Sequence, residues 1–328
     1  MTTEAISSPT RPPARLSDYL AMMRPSHWVK HVFIVPGIVL AYILLPRPLN
    51  ELVLPVLFGF LSAAICASAN YVLNEWLDAE SDAFHRSKSS RPAVTRQLSR
   101  LWVWVEYVGL VVAGLGLALV VSKLFFLTSL LFLISGLIYN VPPIRTKDTA
   151  YLDVLTESLN NPIRLTLGWV MVAPTTLPPG SLLLAYWMGG AYLMALKRLA
   201  EYRSARDHDQ LDSLGEYRKS FATYTEDTLM LSGFLYALLA AFFLAVFLIK
   251  YRVEYLISLP LFAALFVSYF RIALKDESSV QAPEGLFREK TLVFLVLLLA
   301  LTLTALTWID IPVLDRLASP HYIEISLD

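Results

Sequence analysis

Nine runs of mostly apolar residues fill the chain almost end to end, at approximately 30–47, 53–76, 101–122, 125–141, 152–173, 181–200, 227–249, 254–274 and 290–311. About 20 such residues cross the hydrocarbon core of a bilayer as an α-helix. Lipid offers the backbone no hydrogen-bond partner, so each span must satisfy its own polar groups, and a helical bundle follows. Strand-like alternation over about ten residues does not recur, which argues against a β-barrel. The expected fold class is an all-α integral membrane protein with nine transmembrane helices. A polar cytoplasmic tail (1–27) precedes the membrane domain (28–312), and a short external tail (313–328) follows.

Composition excludes the main alternatives. Of 328 residues, 56% are hydrophobic and 16% charged, with a mean hydropathy of +0.56. Soluble domains carry about 45–50% apolar and about 25% charged residues, and disordered chains are far less apolar. Lys and Arg number 27, as do Asp and Glu, so no basic field points to nucleic acid. Cys66, alone in an apolar run, rules out a disulfide framework or a cysteine metal cluster. The first 27 residues lack an apolar core, so no cleavable signal peptide is expected.

Lys and Arg set the expected orientation. With the N-terminus inside, segments 1–30, 77–100, 142–152, 197–225 and 271–290 hold 21 of them, against 5 on the other side. The N-terminus is therefore expected in the cytoplasm of an inner-membrane protein. Both long polar loops, 77–100 and 201–225, fall on that same face, where function is expected to sit.

The strongest chemical signal lies where the second span meets its loop, 70-NYVLNEWLDAESDAFHRSKSSRP-92. Asn70, Asn74, Asp78 and Asp82 recur every four residues, which places them on one helical stripe. Their oxygens are hard ligands suited to Mg²⁺, which typically takes one or two carboxylates plus substrate phosphates. His85, Arg86, Lys88 and Arg91 follow at once, supplying cations that share the charge of a metal-bridged phosphate. Polar Asn70 and Asn74 inside an apolar span are costly without a role.

A second cluster follows the fourth span, 139-YNVPPIRTKDTAYLDVLTESLNNPIR-164. Pro142 and Pro143 end the helix and hold an extended turn, which presents Arg145, Lys147 and Asp148. Asp153, Glu157 and Asn161 then recur at four-residue spacing, with Arg164 deeper in the span. A Glu157–Arg164 tether between helices is the structural alternative; Glu and Arg inside a span otherwise mark a wet, functional cavity. Other conspicuous residues read more blandly. His27 and Trp28 sit at interfacial depth, Lys197 and Arg198 at a helix end, Glu106 inside the third span as a bundle-facing partner, and His208 in a charged loop without a zinc-spaced partner.

These two acidic stripes, after the second and fourth spans, are the point at which the chain resembles the UbiA superfamily of intramembrane prenyltransferases, over about residues 20–310. The superfamily's first motif, N-D-x-x-D-x-x-x-D, is matched by 74-NEWLDAESD-82 with Glu75 in place of the first Asp. The turn that often precedes its second motif, Y-x-x-P-P-x-R-x-K, is matched by 139-YNVPPIRTK-147, although Asp148 and Asp153 are spaced by five rather than four. Three regions, 24-RPSHWVKH-31, 88-KSSRPAV-94, and 197-KRLAEY-202 with 216-EYRKSFATYT-225, look more like the branch that makes decaprenyl-phosphate phosphoribose. The Pro-Pro turn points back towards ordinary prenyltransferases.

The resemblance implies a nine-helix UbiA-like bundle and a Mg²⁺-dependent transferase. Its donor is phosphoribosyl pyrophosphate and its acceptor a polyprenyl phosphate, with pyrophosphate released. The alternative is transfer of an isoprenoid from a prenyl diphosphate to an aromatic or other small acceptor; a secondary transporter is a third possibility. Asn74, Asp78, Asp82 and Asp153 are the candidate metal ligands, and Asp78, Asp82 and Asp153 the candidate catalytic residues; Asp153 either holds a second ion or positions the ribose. Lys30, Lys88, Arg91, Arg145, Lys147, Arg164, Lys197 and Arg198 are candidate phosphate-binding residues. Membrane lipids are expected partners, nucleic acid is not, and homo-oligomerisation is open. Orientation is directly testable: a cysteine placed within 201–216 should react with impermeant maleimide only from the cytoplasmic side, and one near Tyr322 only from outside. The reverse labelling overturns the topology.

Overall fold

A computed structural model describes residues 11–84, 88–276, 278–281 and 283–319. Among these no strand ladder forms; one isolated bridge joins Pro13 and Gln97. The helices of seven residues or more are α1 (Leu16–Met22), α2 (Val35–Leu44), α3 (Leu49–Leu77), α4 (Arg100–Val121), α5 (Lys123–Asn140), α6 (Leu152–Ser158), α7 (Asn160–Val172), α8 (Gly180–Asp207), α9 (Leu211–Tyr217), α10 (Glu226–Tyr251), α11 (Leu259–Ala273), α12 (Lys290–Trp308) and α13 (Pro312–Ala318). A 3₁₀ segment, Pro25–Ile34, runs directly into α2.

Seven stretches among the described residues are long and apolar enough to cross a membrane: Leu16–Leu44, Leu49–Leu77, Arg100–Val121, Lys123–Asn140, Glu226–Tyr251, Val253–Ala273 and Lys290–Trp308. The expected spans at 152–173 and 181–200 are helical but fall outside this set. The first is interrupted at Leu159, between α6 and α7, because Pro162 has no N–H for the Ser158 carbonyl. The second lies in α8, where glycines, tyrosines and, from Lys197 onward, charged residues dilute the apolar run. The expected polar tail 1–27 is also partly folded. Residues Leu16–Met22 are helical, and Met22 is fully buried against Val72 and Val103.

Large apolar side chains cover the outside of the helices as well as filling the interior. Val53, Leu54 and Leu57 of α3, Leu231, Phe234, Leu235 and Leu238 of α10, and Leu297 and Leu301 of α12 all face outward. Ser62, Ser129, Ser135 and Asn140 are buried. Exposed apolar side chains in such number belong against lipid, and small polar residues inside a bundle supply interhelical hydrogen bonds. Ser62 Oγ, for example, donates to the Gly114 carbonyl at 2.7 Å.

The chain divides into two compact units, residues 1–178 with 208–225, and residues 179–207 with 226–328. In the first, α3 packs along α4 and α5, and α2 crosses α7. That crossing is close enough that a Cβ on Gly37 would collide with the Leu165 carbonyl, and one on Gly168 with the Ile34 carbonyl. In the second unit, α8 packs along α10. Arg252 closes the C-terminal end of α12 there, donating through Nη2 to the Leu306 and Ile309 carbonyls at 3.1 and 3.0 Å. A cation on exposed C-terminal carbonyls satisfies groups the helix cannot.

Gly37→Ala and Gly168→Ala should each lower the unfolding midpoint in detergent, with a cost of about 1–3 kcal/mol for overpacking. Gly109→Ala, where an added Cβ meets nothing within 4 Å, should leave the midpoint unchanged or raise it. Equal behaviour of the three variants would refute the close α2–α7 crossing.

Candidate functional site

The site is assembled at one end of the first unit, where α3 runs out of apolar residues. The helix ends at Leu77, and Asp78 caps it with φ −97° and ψ 0°. A short turn, Ala79–Asp82, then continues the same backbone pattern. Asp78 N–H donates to the Asn74 carbonyl at 3.0 Å and Asp82 N–H to the Asp78 carbonyl at 2.7 Å. The four-residue register read from the sequence thus persists past the helix end. Asn74, Asp78 and Asp82 follow one another along a continuous stripe.

The turn after α5 folds back onto this stripe. Asp78 Oδ1 accepts from Arg145 Nη2 at 3.0 Å and from Lys147 Nζ. Lys147 Nζ also donates to Asn140 Oδ1 at 3.1 Å, and that oxygen accepts from Asn74 Nδ2 as well. Arg145 reaches the Asn140 carbonyl through Nη1 at 3.1 Å and Asp148 through Nε at 3.1 Å. Burial alone would raise the Asp78 carboxyl, but the Lys147, Arg145 and Arg218 charges draw it below the usual carboxylate range. Burial pushes the Lys147 ammonium down to about 8 against the pull of Asp78. Asp78 is therefore held as an anion by two cations.

Asp82 differs. It is 1% exposed, its Oδ2 is paired with Arg91, and its Oδ1 is buried with no hydrogen-bond partner among the described residues. Burial raises its carboxyl, outweighing Arg91 and Lys88. An unsatisfied carboxylate oxygen is expensive, and a divalent cation would supply the missing partner. No group of three or more His, Cys, Asp or Glu side chains converges into a metal cage among the described residues. Lys88 lies over the Tyr217 ring, 4.4 Å from its centroid. His85 and Arg86 lie outside the described residues.

Glu75, the residue at the superfamily's first Asp position, is 1% exposed. Its Oε2 accepts from Arg24 Nε and Nη2 at 3.0 and 2.6 Å. A longer arm at this position reaches a cation from the segment before α2.

The second acidic stripe carries a different load. Asp153 is fully buried, with Oδ1 accepting from Tyr224 OH at 2.6 Å and Oδ2 from Ser220 Oγ at 3.2 Å, while Arg218 lies 3.5 Å away. Tyr224 OH also accepts from the Tyr151 N–H at 2.6 Å. Arg218 donates to Tyr139 OH at 3.0 Å, and that hydroxyl donates to Glu157 Oε2 at 2.8 Å. The segment 217–224 is thereby stitched to α5 and α6. Sequence reasoning assigned no role to Arg218, Tyr139 or Tyr224, although 216-EYRKSFATYT-225 concentrates hydroxyls and cations in ten residues.

Of the remaining candidates, Lys30 lies 5.8 Å from the Tyr71 ring centroid and Arg164 lies 5.3 Å from that of Phe132. Glu157 Oε2 accepts from the Tyr139 hydroxyl at 2.8 Å. Lys197 and Arg198 belong to the second unit, where Arg198 is 1% exposed and paired with Glu201 at 3.0 Å. A cavity of about 570 Å³ adjoins Arg145 and opens beside Ser81 and Lys219.

Comparison with known proteins agrees with this architecture. The UbiA prenyltransferase family matches residues 32–298, so the chain belongs to that family and is a transferase of its class. A UbiA homolog from Archaeoglobus fulgidus solved with GPP and Mg²⁺ is 21% identical, with a TM-score of 0.65 over 88% of this chain and 99% of that one. The same homolog with DMAPP and Mg²⁺ gives 21% identity and a TM-score of 0.65 over 89% and 100%. At that identity the likeness is one of fold. Among curated proteins, the chain is 28% identical over 156 residues to the uncharacterized protein y4nM of Sinorhizobium fredii, which is 48% of this chain and 29% of that one. It is 28% identical over 199 residues to the nodulation protein NoeC of Azorhizobium caulinodans, 60% of this chain and 61% of that one. The chain thus spans less than two thirds of either curated relative.

Asp153→Ala should release the 217–224 segment. In detergent, trypsin cleavage after Arg218 or Lys219 should accelerate markedly, and Tyr224→Phe should give a smaller effect of about 1–2 kcal/mol for one buried hydrogen bond. Wild-type cleavage rates in both variants would refute the anchoring role.

Proposed function

We propose that the protein is a Mg²⁺-dependent transferase that moves a phosphoribosyl group from phosphoribosyl pyrophosphate to a polyprenyl phosphate, releasing pyrophosphate. One observation carries the reading. Five cations, Lys88, Arg91, Arg145, Lys147 and Arg218, are gathered around Asp78, Asp82 and Asp153. That is more positive charge than a single diphosphate requires, and it suits a donor with phosphate at two positions. Residues 24–31, 88–94, 197–202 and 216–225, which look like the phosphoribosyl-transferring branch, support the same donor.

Mg²⁺, when bound, neutralises charge on the leaving diphosphate. Asp78, Asp82 and Asn74 are the residues proposed to hold it, with Asp82 Oδ1 contributing the unsatisfied oxygen. Asp153, enclosed by Tyr224, Ser220 and Arg218, acts as a positioning residue for the cation-bearing segment. Arg91 and Arg145 orient phosphate oxygens through planar, bidentate donors. Lys147 and Lys88 add point charges, and Lys30, Arg164, Lys197 and Arg198 remain proposed contacts to anionic groups. The C1–O bond to pyrophosphate breaks as an oxygen of the lipid phosphate bonds to C1. That nucleophile is already anionic, so no strong base is required. The isoprenoid tail lies among apolar helices, in a nine-span inner-membrane bundle whose N-terminus and site face the cytoplasm.

A second reading is favoured by the family and by the Archaeoglobus structures, described as bound to GPP and DMAPP: transfer of a prenyl group to an aromatic or other small acceptor. The same metal stripe serves that reaction. Purified protein given Mg²⁺, a polyprenyl phosphate and labelled phosphoribosyl pyrophosphate should form a labelled lipid. Parallel reactions with prenyl diphosphates and aromatic acids should stay silent. Excess EDTA should stop turnover, and Asp78→Ala and Asp82→Ala should each reduce it at least about a hundredfold, or about 2.7 kcal/mol, while still inserting and purifying. Full activity in EDTA overturns the metal role; prenylation without phosphoribosyl transfer replaces the first reading with the second.

A further inference from the structure

The cavity beside Arg145 has a lining that neither a metal nor an isoprenoid explains. It holds about 570 Å³ and is lined by Glu80, Ser81, Arg145, Asp148, Glu216 and Lys219, among others. Pockets for small ligands span about 300–1,000 Å³. Arg145 contributes to the cavity while its Nη2 reaches Asp78 at 3.0 Å, so the cavity begins one side chain away from the proposed metal stripe. Arg145 and Asp148 are paired with each other at 3.1 Å. The side chains of Glu80, Glu216 and Lys219 make no hydrogen bond or ion pair among the described residues. Three charged groups therefore line one cavity uncommitted.

Their chemistry selects a class of occupant. Carboxylates accept hydrogen bonds and do not donate, so Glu80 and Glu216 suit vicinal hydroxyls. Lys219 and Arg145 suit phosphate oxygens. An isoprenoid chain offers no donor and would desolvate these charges without compensation. A phosphorylated, hydroxyl-bearing ring uses all of them.

We propose that this cavity is the sugar-phosphate subsite of the donor, with Lys219 taking the 5-phosphate and Glu216, with Glu80, taking ring hydroxyls. The assignment rests on the phosphoribosyl reading above, and it makes Lys219 and Glu216 determinants of donor specificity. The diphosphate end of the donor then points past Arg145 towards Asp78 and Asp82. The lipid phosphate approaches from the membrane.

The test uses the full chain in detergent with Mg²⁺ and a saturating polyprenyl phosphate. Lys219→Glu should raise the KM for phosphoribosyl pyrophosphate at least tenfold, leaving the KM for the lipid unchanged, while Lys219→Arg stays near wild type. Glu216→Gln should raise the same KM severalfold. Ribose 5-phosphate should inhibit wild type competitively against the donor and lose at least tenfold in potency against Lys219→Glu. Both side chains are exposed, and unchanged unfolding midpoints will exclude misfolding. If wild type turns over phosphoribosyl pyrophosphate but Lys219→Glu and Glu216→Gln keep its KM within twofold, the subsite is wrong and the functional reading stands. If wild type ignores that donor and uses a prenyl diphosphate, reading and subsite fall together.

Discussion

The ionic knot on Asp78 is the constraint on which the first unit's polar end depends. Asp78 Oδ1 takes both Arg145 and Lys147, and Lys147 shares Asn140 with Asn74. One carboxylate thereby ties the end of α3 to the end of α5 and to the turn beyond it. Charges this buried are stable only when every partner is present, and removing one partner of a buried pair costs about 3–5 kcal/mol. Lys147 is 4% exposed, and without Asp78 it would have little reason to stay charged. The knot sits where α3 ends, at the point where its apolar run gives way to charged residues.

Against that fixed point, Asp82 is the unfinished part. Its two oxygens are treated differently, one paired with Arg91 and one left without a partner. The contrast between a satisfied Asp78 and a half-satisfied Asp82, one helical turn apart, gives two carboxylates of a single motif different surroundings. Neighbouring carboxylates with distinct surroundings commonly divide labour in this way. Asp153 extends the contrast: it is saturated by hydroxyls and spends its charge on holding the 217–224 segment.

Much of this was legible in the sequence where the signal is local. Hydropathy located the helical stretches, and four-residue spacing predicted the Asn74–Asp78–Asp82 stripe, because both follow from helix periodicity. The break at Leu159 is marked in the sequence only indirectly, by the polar stretch Thr156–Asn161 and by Pro162, which acts on a carbonyl four residues earlier. The partners of the charged residues were also hidden. Arg24 meets Glu75 across 51 residues and Arg218 meets Tyr139 across 79; no periodicity links such distant positions. The only clue is thermodynamic: a buried Glu75 demands a cation, without saying which one.

Glu75 shows how such a partner reshapes the site. An aspartate there would present a third short acid beside Asp78 and Asp82. The glutamate instead turns its Oε2 to a two-pronged contact with Arg24, at the start of the segment leading into α2. Its charge is neutralised there by the guanidinium rather than left for a metal ion. The acidic stripe is left with two carboxylates, and one of these is already claimed by Lys147 and Arg145. With so few protein anions uncommitted, a divalent ion held at Asp82, as proposed above, would need oxygen ligands from a bound phosphate. The cations on Arg91, Lys88 and Arg145 would serve that same phosphate under the proposed function. In this chain Glu75 spends its charge on Arg24, and Asp78 spends its own on Lys147 and Arg145, which leaves Asp82 Oδ1 as the motif's one buried carboxylate oxygen without a partner among the described residues.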